Sequence, residues 1–460
     1  MIYYIKTKEK PIMNNIRVNF NSACGKVKPM HAVNNGPIYK FAVDQRITNI
    51  EPWREAGIPY ARTHDASFCS TYGGEHTVDV NNIFTNFDAD PYDPASYDFV
   101  LTDEYMQIIE HGGSEPFFRL GSKIEHWKKK YNTLPPKDFH KWAVICEHII
   151  RHYTEGWGDG MKMKVEYWEI WNEPDLDLDD STHKRTWGGT KAQFFDLYEI
   201  AAKHLKSCFP NLKIGGPALA HREDWARDFL AEMQKREAPI DFFSWHIYSA
   251  DPKKVADKCY LFRALMDEYG FNNAESINNE WNYVRGWEGD EWIYSLRQEK
   301  NLKGAAFIAS TMSLCQYAPL DMLMYYDARP GGMNGLFSTD LICNILKGYY
   351  PFRMFNELYK LGECVEIETL GENIHASAAK GENGAAVMLT HYSDDDATET
   401  TEVTLDLSNI ALEGSYTLKC YLLDENNDMK KTFEIRTSGK ELSINLEMSL
   451  FSTYLVTLEK

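Results

Sequence analysis

The sequence lacks the patterns that mark several common classes of protein. Its nine cysteines form no CxxC pair and no Cys/His metal spacing, so no metal site is predicted. No segment approaches 18 consecutive apolar residues, so no membrane-spanning helix is predicted. The N-terminus has no apolar segment followed by a small-residue cleavage site, and we therefore expect reduced thiols and a cytoplasmic location. The alternative is that Met13 is the true start and that an export signal has been trimmed.

Positive charge is also scarce, since 49 Lys and Arg face 68 Asp and Glu for a net charge of −19. This balance argues against a nucleic acid or an anionic membrane surface as a partner. A neutral substrate fits more easily. Aromatic residues are abundant, with 12 Trp and 27 Tyr, and they can pack a core or form platforms for sugar rings. No sequence feature indicates the oligomeric state.

Short apolar segments alternate with longer amphipathic segments over residues 14–362, which we interpret as one domain. The predicted strands are 16–22, 58–65, 115–122, 165–173, 212–218, 240–248, 275–282 and 321–329. The predicted helices are 47–57, 96–113, 137–156, 191–209, 222–238, 254–270, 301–318 and 350–362. Eight βα units predict an α/β fold, a (β/α)₈ TIM barrel. An open doubly wound sheet is the alternative, and the absence of GxGxxG after the first strand disfavours it.

Residues 363–460 have a different pattern. Apolar and polar residues alternate, and Gly, Asn and Asp interrupt the alternation about every eight to twelve residues. This pattern predicts a C-terminal antiparallel β-sandwich that serves as an accessory domain. We expect a strand within residues 1–13 to join it.

Two predicted barrel strands end on a glutamate in similar surroundings. The fourth ends on Asn172-Glu173-Pro174 and the seventh on Asn279-Glu280-Trp281. Strands four and seven lie across the mouth of a closed barrel, where barrel active sites are found. One carboxyl group of such a pair can protonate a leaving oxygen while the other attacks or stabilises an electrophilic carbon.

Two further glutamates are rivals for these roles. Glu275 begins its strand and should lie at the opposite end of the barrel. Glu169 precedes Glu173 by four residues on the same strand face, so it should lie deeper and need an arginine partner.

The segment WEIWNEPDL (168–176) resembles the acid/base segment of glycoside hydrolase family 39, a clan A family that contains β-xylosidases and α-L-iduronidases. Other segments that look like the family's barrel strands are 60–65, 116–122, 215–218, 244–248 and 278–282. The order of barrel and sandwich is also similar. The resemblance implies a retaining, double-displacement hydrolase that needs no cofactor and no metal and acts on a glycoside or oligosaccharide.

The resemblance also implies roles for individual residues. Glu173 is the expected general acid/base, Glu280 the nucleophile, and Asn172 the partner of the hydroxyl next to the anomeric carbon. His246 and Tyr248 are expected to line the terminal-sugar subsite, with Tyr248 bonded to the nucleophile. Arg62 and His64 are expected at the end of the second strand. A hydrogen-bonded barrel histidine remains the alternative for His246, and a buried partner of Glu169 the alternative for Arg62.

Some segments depart from the family pattern. Tyr325, Tyr326 and Asp327 stand where many clan A enzymes carry a tryptophan platform. In the first-strand region, 29–37, His31 and Asn34 are expected to contact sugar. Loop residues that offer stacking walls are Trp187, Trp281 and Trp287. The insertion 69–93 is expected to cover part of the mouth.

The sequence limits the sugar only weakly. We expect a β-xylosidase-like enzyme that removes a terminal sugar, with α-L-iduronide, arabinoside or galactoside as alternatives. Lys123, Arg285 and Arg329 follow predicted strand ends, which keeps a carboxylate-bearing sugar open. Two other classes remain as competing hypotheses: a non-catalytic carbohydrate-binding barrel, and a metal-dependent barrel enzyme built on His64, Asp65 and His246.

Overall fold

The computed structural model describes residues 14–39, 48–65, 74–340 and 343–460. The chain divides into two compact units. One contains the segment that ends at Val27 together with Glu357–Lys460, and the other is Lys28–Asn356. The predicted strand within 1–13 lies outside the described residues.

The larger unit is a closed barrel of parallel strands, which confirms the predicted fold. The strand that precedes it in the chain is β1 (Asn14–Lys26). The barrel strands are β2 (Ala32–Asn34), β3 (Tyr60–Thr63), β4 (Glu115–Leu120), β5 (Tyr167–Ile170), β6 (Lys213–Leu219), β7 (Phe242–Ser249), β8 (Glu275–Tyr283) and β9 (Met322–Tyr325). Each strand pairs with the next in sequence, and β9 pairs with β2.

Helices follow the barrel strands along the chain. They are α1 (Ile50–Ala56), α2 (Val80–Ile83), α3 (Val100–His111), α4 (Phe139–Thr154), α5 (Lys191–Cys208), α6 (Glu223–Lys235), α7 (Pro252–Glu268), α8 (Gly289–Gln298), α9 (Leu302–Tyr317) and α10 (Tyr349–Leu361). Eight of them match the predicted helices, and α2 and α8 are short additions within βα loops. Among the described residues, no helix is both long and apolar enough to span a bilayer.

Side chains from alternate strand positions fill the barrel interior. A layer near the amino-terminal ends of the strands consists of Ala32, Phe117, Tyr167, Phe242, Ile277, Met322 and Met324. The intervening positions point outward, so that Trp168 packs against Phe118 and Trp245 against Phe262. Burial of each large apolar side chain contributes about 1.5–3 kcal/mol. Because inward and outward positions alternate along a strand, this layer determines which later residues of each strand point into the barrel mouth.

The prediction that residues 16–22 form the first barrel strand was wrong. Strand β1 belongs to the other unit, and the barrel begins with β2. The reason is visible in the side chains: Ile16, Val18 and Phe20 are buried while Arg17 and Asn19 are exposed. A strand with one polar face suits a sheet that is solvated on one side, whereas a barrel strand under helices is buried on both faces, as β2 is.

The smaller unit is a nine-stranded sheet. Its C-terminal strands are β10 (Glu363–Leu370), β11 (Ile374–Gly381), β12 (Gly384–His391), β13 (Thr401–Ser408), β14 (Tyr416–Leu423), β15 (Lys430–Thr437), β16 (Leu442–Met448) and β17 (Thr453–Glu459). Their order is β15-β14-β17-β12-β11-β10-β1-β13-β16. The C-terminal strands pair antiparallel as predicted, but β1 pairs parallel with β13, so the sheet is mixed. All nine strands contribute to one shared apolar core, as the halves of a sandwich do.

Candidate active site

Polar side chains replace apolar ones in the barrel interior towards the carboxyl ends of the strands. In β5, Tyr167 lies in the apolar layer and Glu169 is the next inward residue. In β7, Phe242 is followed inward by Ser244, His246 and Tyr248. The two-residue period of a strand directs each set to one face. The mouth of the barrel therefore carries a compact group of charged and hydrogen-bonding side chains.

A β-bulge in β8 decides the position of Glu280. Trp245 of β7 pairs with Asn278, but His246 pairs with Glu280, so Asn279 is an extra residue in the register. Ile277 and Asn279 face inward by ordinary alternation, which by itself would turn Glu280 outward. The bulge shifts the alternation by one residue, and both Asn279 and Glu280 reach the interior.

Arg62 is the charged centre of the group and is fully buried. Its guanidinium donates to Glu169 at 2.7 Å and to Glu280 at 2.8 Å. It also donates to the amide oxygens of Asn172, at 2.7 Å, and Asn34, at 3.0 Å. Burial opposes its charge, but the two carboxylates prevail and raise the pKa of Arg62. Arg62 is therefore the buried partner of Glu169 and at the same time contacts Glu280, because one guanidinium pairs with both glutamates.

Glu169 has a structural role beneath the mouth. Its second oxygen accepts hydrogen bonds from Ser244 at 2.6 Å and Asn279 at 2.5 Å. This fully buried side chain thus accepts a hydrogen bond from Arg62 and also holds Asn279 of the bulged strand. An arginine partner was expected for it. Glu275 lies at the other end of β8, where it accepts from the hydroxyl of Tyr167 at 2.9 Å.

Glu280 has four polar neighbours, of which His246 is the most distant, with its Nδ1 3.5 Å from Oε2. Its Oε1 accepts from Arg62 at 2.8 Å and lies 3.4 Å from Nε2 of His64. Its Oε2 accepts from the hydroxyl of Tyr248 at 2.8 Å. Charge-assisted and hydroxyl hydrogen bonds to both oxygens fix the orientation of this side chain.

Glu173 lies after the end of β5 on a strained backbone. Trp171 and Glu173 have φ values of 75° and 49°, in the left-handed region that non-glycine residues rarely adopt. The turn is held because the amide of Glu173 donates to Ala218 at 2.8 Å and its carbonyl accepts from Thr186 at 2.5 Å. Strain of this kind concentrates at functional sites. Here it turns the Glu173 carboxyl towards the barrel axis.

The environment of Glu173 is unlike that of Glu280. Its Oε1 lies 2.9 Å from Nδ1 of His246. Burial, reinforced by the negative charge of Asp175, raises the pKa of Glu173 to about 7. Burial also lowers the pKa of His246 to about 3, so the imidazole is neutral and offers no cation to Glu173. The raised pKa of Glu173 favours its protonated form near neutral pH, whereas Glu280 pairs with an arginine.

A carboxylate oxygen of Glu173, one of Glu280 and a ring nitrogen of His246 all lie within 4.8 Å of one another. Carboxyl groups separated by about 5–5.5 Å are typical of retaining glycosidases, and separations of about 6.5–9.5 Å of inverting ones. Such a trio also resembles a metal-ligand set, but the guanidinium of Arg62, 2.8 Å from Glu280, already supplies a positive charge that disfavours a cation there. A second trio, Glu147, His204 and Cys208, lies on α4 and α5.

Glu173→Gln is expected to stabilise the protein at alkaline pH. The folded-state pKa of Glu173 is raised from 4.5 to about 7, so ionisation of this buried acid destabilises the wild type progressively between these pH values. Glutamine mimics the neutral acid, and its gain in free energy of unfolding should approach roughly 3 kcal/mol at pH 8. At pH 4 the two proteins should be equally stable. Urea unfolding at both pH values tests this, and an equal gain at pH 4 would contradict it.

Three of the predicted sugar contacts were wrong. His31 precedes β2, so it lies at the amino-terminal end of the barrel, buried against Phe355. Trp281 and Tyr325 point outward from their strands, fully buried, and their rings contact each other edge to face at 5.4 Å. The cause is strand parity: Met322 and Met324 face inward, so Tyr325 faces outward, and the bulge turns Trp281 outward.

Other residues predicted to contact sugar do lie at the mouth of the barrel. Asn34 and His64 contact Arg62 and Glu280 respectively. The half-exposed Trp287 packs edge to face on Tyr248 at 5.0 Å. By contrast, Trp187 is buried and packs on Trp171.

The described part of the insertion also approaches this end of the barrel. Asp79 accepts from the Arg119 side chain at 2.8 Å and from the Lys123 amide at 2.9 Å. Residues 69–73 of the insertion lie outside the described residues.

Tyr326 and Asp65 are site residues that were not predicted from the sequence to contact sugar. The hydroxyl of Tyr326 donates to Asp65 at 3.0 Å, and its ring packs edge to face on His64. Asp65 lies 3.1 Å from Nδ1 of His64, whose other nitrogen faces Glu280. The charges of His64, Arg329 and Lys123 hold the pKa of Asp65 well below its usual range despite its burial. The alternation that directs Met322 and Met324 into the barrel also turns Tyr326 inward.

A closed (β/α)₈ barrel with two opposed glutamates at the carboxyl ends of its strands defines the class of site that glycoside hydrolases use. The chain belongs to the glycosyl hydrolases family 39, whose model matches residues 14–283. This confirms the resemblance identified in the sequence.

Individual relatives agree with this assignment. A β-xylosidase of Geobacillus stearothermophilus is 32% identical over 170 residues, which is 35% of this chain and 32% of the relative. A β-xylosidase of Caldicellulosiruptor saccharolyticus is 28% identical over 256 residues, or 51% and 46% of the two chains. The matched stretch spans less than half of either relative. A glucosidase from Croceicoccus marinus shares the fold over 97% of this chain and 99% of its own, with a TM-score of 0.79 and 21% identity.

Proposed function

We propose that this protein is a retaining glycoside hydrolase that removes a terminal sugar by double displacement, with β-xylosides as its preferred substrates. The observation that carries the proposal is the pair Glu173 and Glu280, whose oxygens approach within 4.8 Å from opposite electrostatic environments. The pairing of one protonated and one ionised carboxyl group is what double displacement requires.

In the first step, a carboxylate oxygen of Glu280 attacks the anomeric carbon while the bond from that carbon to the leaving oxygen breaks. Glu173 transfers its proton to the leaving oxygen, and a glycosyl ester of Glu280 forms. Arg62 and the Tyr248 hydroxyl support this role, because they fix both oxygens of the nucleophile before substrate arrives.

In the second step, the ionised Glu173 removes a proton from a water molecule whose oxygen attacks the anomeric carbon. The ester bond breaks, Glu280 recovers its negative charge, and Glu173 is protonated again. A pKa of about 7 suits Glu173 for both directions of proton transfer near neutral pH.

Asn172 is the proposed partner of the sugar hydroxyl next to the anomeric carbon. Its amide oxygen already accepts from Arg62 at 2.7 Å, so its NH₂ group remains to donate towards substrate. His246 and Tyr248 line the same subsite: His246 contacts both glutamates, and Tyr248 donates to the nucleophile. The substitution Asn172→Gln would move this amide one methylene farther from the backbone and break its hydrogen bond with Arg62.

The cations beside the site favour a neutral terminal sugar over a carboxylate-bearing one. Lys123 pairs with Asp65 at 3.2 Å and with Glu75. Arg329 pairs with Asp65, Asp327 and Glu75 at 3.3–3.5 Å. A substrate carboxylate would compete with these acids for both cations. The similarity to two β-xylosidases supports xylose in particular.

Hydrolysis of a panel of aryl glycosides tests the proposal. The panel contains β-D-xyloside, β-D-glucoside, β-D-galactoside, α-L-arabinosides and α-L-iduronide, each assayed with the wild type and Glu280→Ala. We expect the β-D-xyloside to have the highest kcat/KM and the variant to be inactive. Saturable sugar binding without turnover of any aryl glycoside or oligosaccharide would instead indicate a carbohydrate-binding barrel.

The pH dependence of kcat/KM should report Glu173. Its acid form is required for leaving-group protonation, so activity on a poor leaving group should fall above pH 7, the pKa region of Glu173. A dinitrophenyl glycoside needs no proton for departure, and its glycosylation step should show a much weaker alkaline decline. The measurement is single-turnover kinetics of both substrates from pH 5 to 9. An identical alkaline limb for both would contradict the assigned role.

A further inference from the structure

One exposed loop beside the barrel mouth combines an indole ring with several positive charges. The basic loop, residues 126–131 with the sequence HWKKKY, follows β4 and precedes α4. Trp127 is 82% exposed and Tyr131 is 66% exposed. The ammonium of Lys129 lies over the Tyr131 ring, 5.0 Å from its centre. Loops after barrel strands surround the active-site end, so this surface lies at the rim of the mouth.

The base of the basic loop is firmly closed. The buried carboxylate of Glu125 accepts from the amides of Tyr131 and Asn132, at 3.0 and 3.1 Å, and from the hydroxyl of Thr133 at 2.9 Å. The side chain of Lys130 donates to the carbonyl of Glu125. These bonds tie both ends of the loop together. The backbone that carries Trp127 is thus ordered before binding, which lowers the entropic cost of binding a ligand through its ring.

The charge of this loop contrasts with that of the whole chain, which is −19. Lys128 and Lys129 are exposed, and neither forms an ion pair with a residue that the structure describes. Two further cations lie close by. After burial, the charges of Arg185 and Lys123 lower the pKa of His126, the first residue of the loop. A local positive field on an acidic protein attracts an anionic group.

The basic loop is connected to the residue that protonates the leaving group. The amide of Glu125 donates to the carbonyl of Arg185 at 2.8 Å. The next residue, Thr186, donates through its hydroxyl to the carbonyl of Glu173 at 2.5 Å. Because Glu173 faces the leaving oxygen, these contacts place the loop on the side of the leaving group rather than of the terminal sugar.

We propose that the basic loop is a leaving-group subsite in which Trp127 stacks on a sugar ring and Lys128 and Lys129 bind an anionic substituent on it. The occupant is an oligosaccharide with a neutral terminal sugar and a carboxylate or sulfate farther along the chain. This inference rests on the proposed function for its orientation, but binding at the loop does not depend on turnover.

Calorimetric titration of the whole 460-residue chain with the substitution Glu280→Ala tests the subsite without hydrolysis. The ligands are a neutral xylo-oligosaccharide and oligosaccharides of equal length that carry one glucuronic acid or one sulfate. We expect either anionic ligand to bind about tenfold more tightly than the neutral one at low salt, and the ratio between the two identifies the preferred group. The difference should shrink at high salt because the lysines are exposed.

Loop variants in the same background separate the two contributions. Trp127→Ala should weaken binding of all three ligands by about tenfold, the effect of losing roughly 1.4 kcal/mol. The double variant Lys128→Gln/Lys129→Gln should remove only the preference for anionic ligands. The matched controls are Lys162→Gln/Lys164→Gln, which lies between α4 and β5 at the opposite end of the barrel, and Tyr260→Ala on α7.

Two outcomes would overturn the subsite. One is equal affinity for neutral and anionic ligands at low salt, and the other is an anionic preference that the control variants reduce as much as the loop variants. A failure of the proposed hydrolase function gives a different result, because it would appear as absent turnover in the wild type with these binding differences intact.

Discussion

Glu280→Ala is expected to lower kcat/KM for an aryl β-xyloside by about four to six orders of magnitude, the range seen when a covalent nucleophile is removed. Alanine leaves no atom to form the glycosyl ester. It also leaves space where Arg62, Tyr248 and His64 surrounded a carboxylate. Azide fits this space and carries the missing negative charge, so it should restore part of the activity with a dinitrophenyl substrate. The product should be a glycosyl azide of inverted configuration.

Glu275→Ala is the matched control on the same strand. This carboxylate lies at the amino-terminal end of β8, bonded to Lys213 and Tyr167, and contacts neither Glu173 nor Glu280. Its removal should leave kcat/KM within a few-fold of the wild type. Residual activity in Glu280→Ala above about one hundredth of the wild-type value, without azide, would remove Glu280 from the role of nucleophile.

Arg62→Met is expected to lower the free energy of unfolding by about 3–5 kcal/mol, the cost of leaving buried charges without their partner. Methionine retains much of the apolar volume of arginine, so packing changes little. Glu169 and Glu280 both lose their shared cation, and the amide oxygens of Asn34 and Asn172 lose a donor. Urea unfolding followed by tryptophan fluorescence measures the loss, and activity should fall with it because Glu280 is no longer held in place.

Arg227→Met provides the comparison for an exposed ion pair. Arg227 lies 3.3 Å from Glu268, and both side chains are about half exposed. Such pairs contribute at most about 1 kcal/mol. If both arginine variants lost similar stability, Arg62 would not be the electrostatic centre that its contacts indicate.

The sequence identified the barrel because eight apolar strands and eight amphipathic helices alternate at the correct spacing. It also placed Glu173 and Glu280 at strand ends, and the structure brings both to the mouth. Local pattern was sufficient for this, since the end of a strand can be read from composition. The extent of the barrel was predicted less accurately. Residues 16–22 have apolar residues at strand spacing, and pattern alone made them the first barrel strand, whereas β1 pairs with β10, more than 300 residues away in the chain.

Side-chain direction within strands required the tertiary structure. One extra residue in β8 turns Glu280 inward and Trp281 outward, and nothing in the sequence of β8 marks that bulge. Tyr325 and Tyr326 are chemically alike, and only the register of β9 against its neighbours makes Tyr326 the site residue.

The sequence by itself determined the family, the eight-unit barrel and the two glutamates, because each depends on residues close together in the chain. The tertiary structure alone decided that Arg62 joins Glu169 to Glu280, and that Glu173 is buried enough to retain a proton near neutral pH. The physical reason is that ionisation and charge pairing depend on distance and on exclusion of water. Both are set by strands that are far apart in sequence and meet only when the barrel closes.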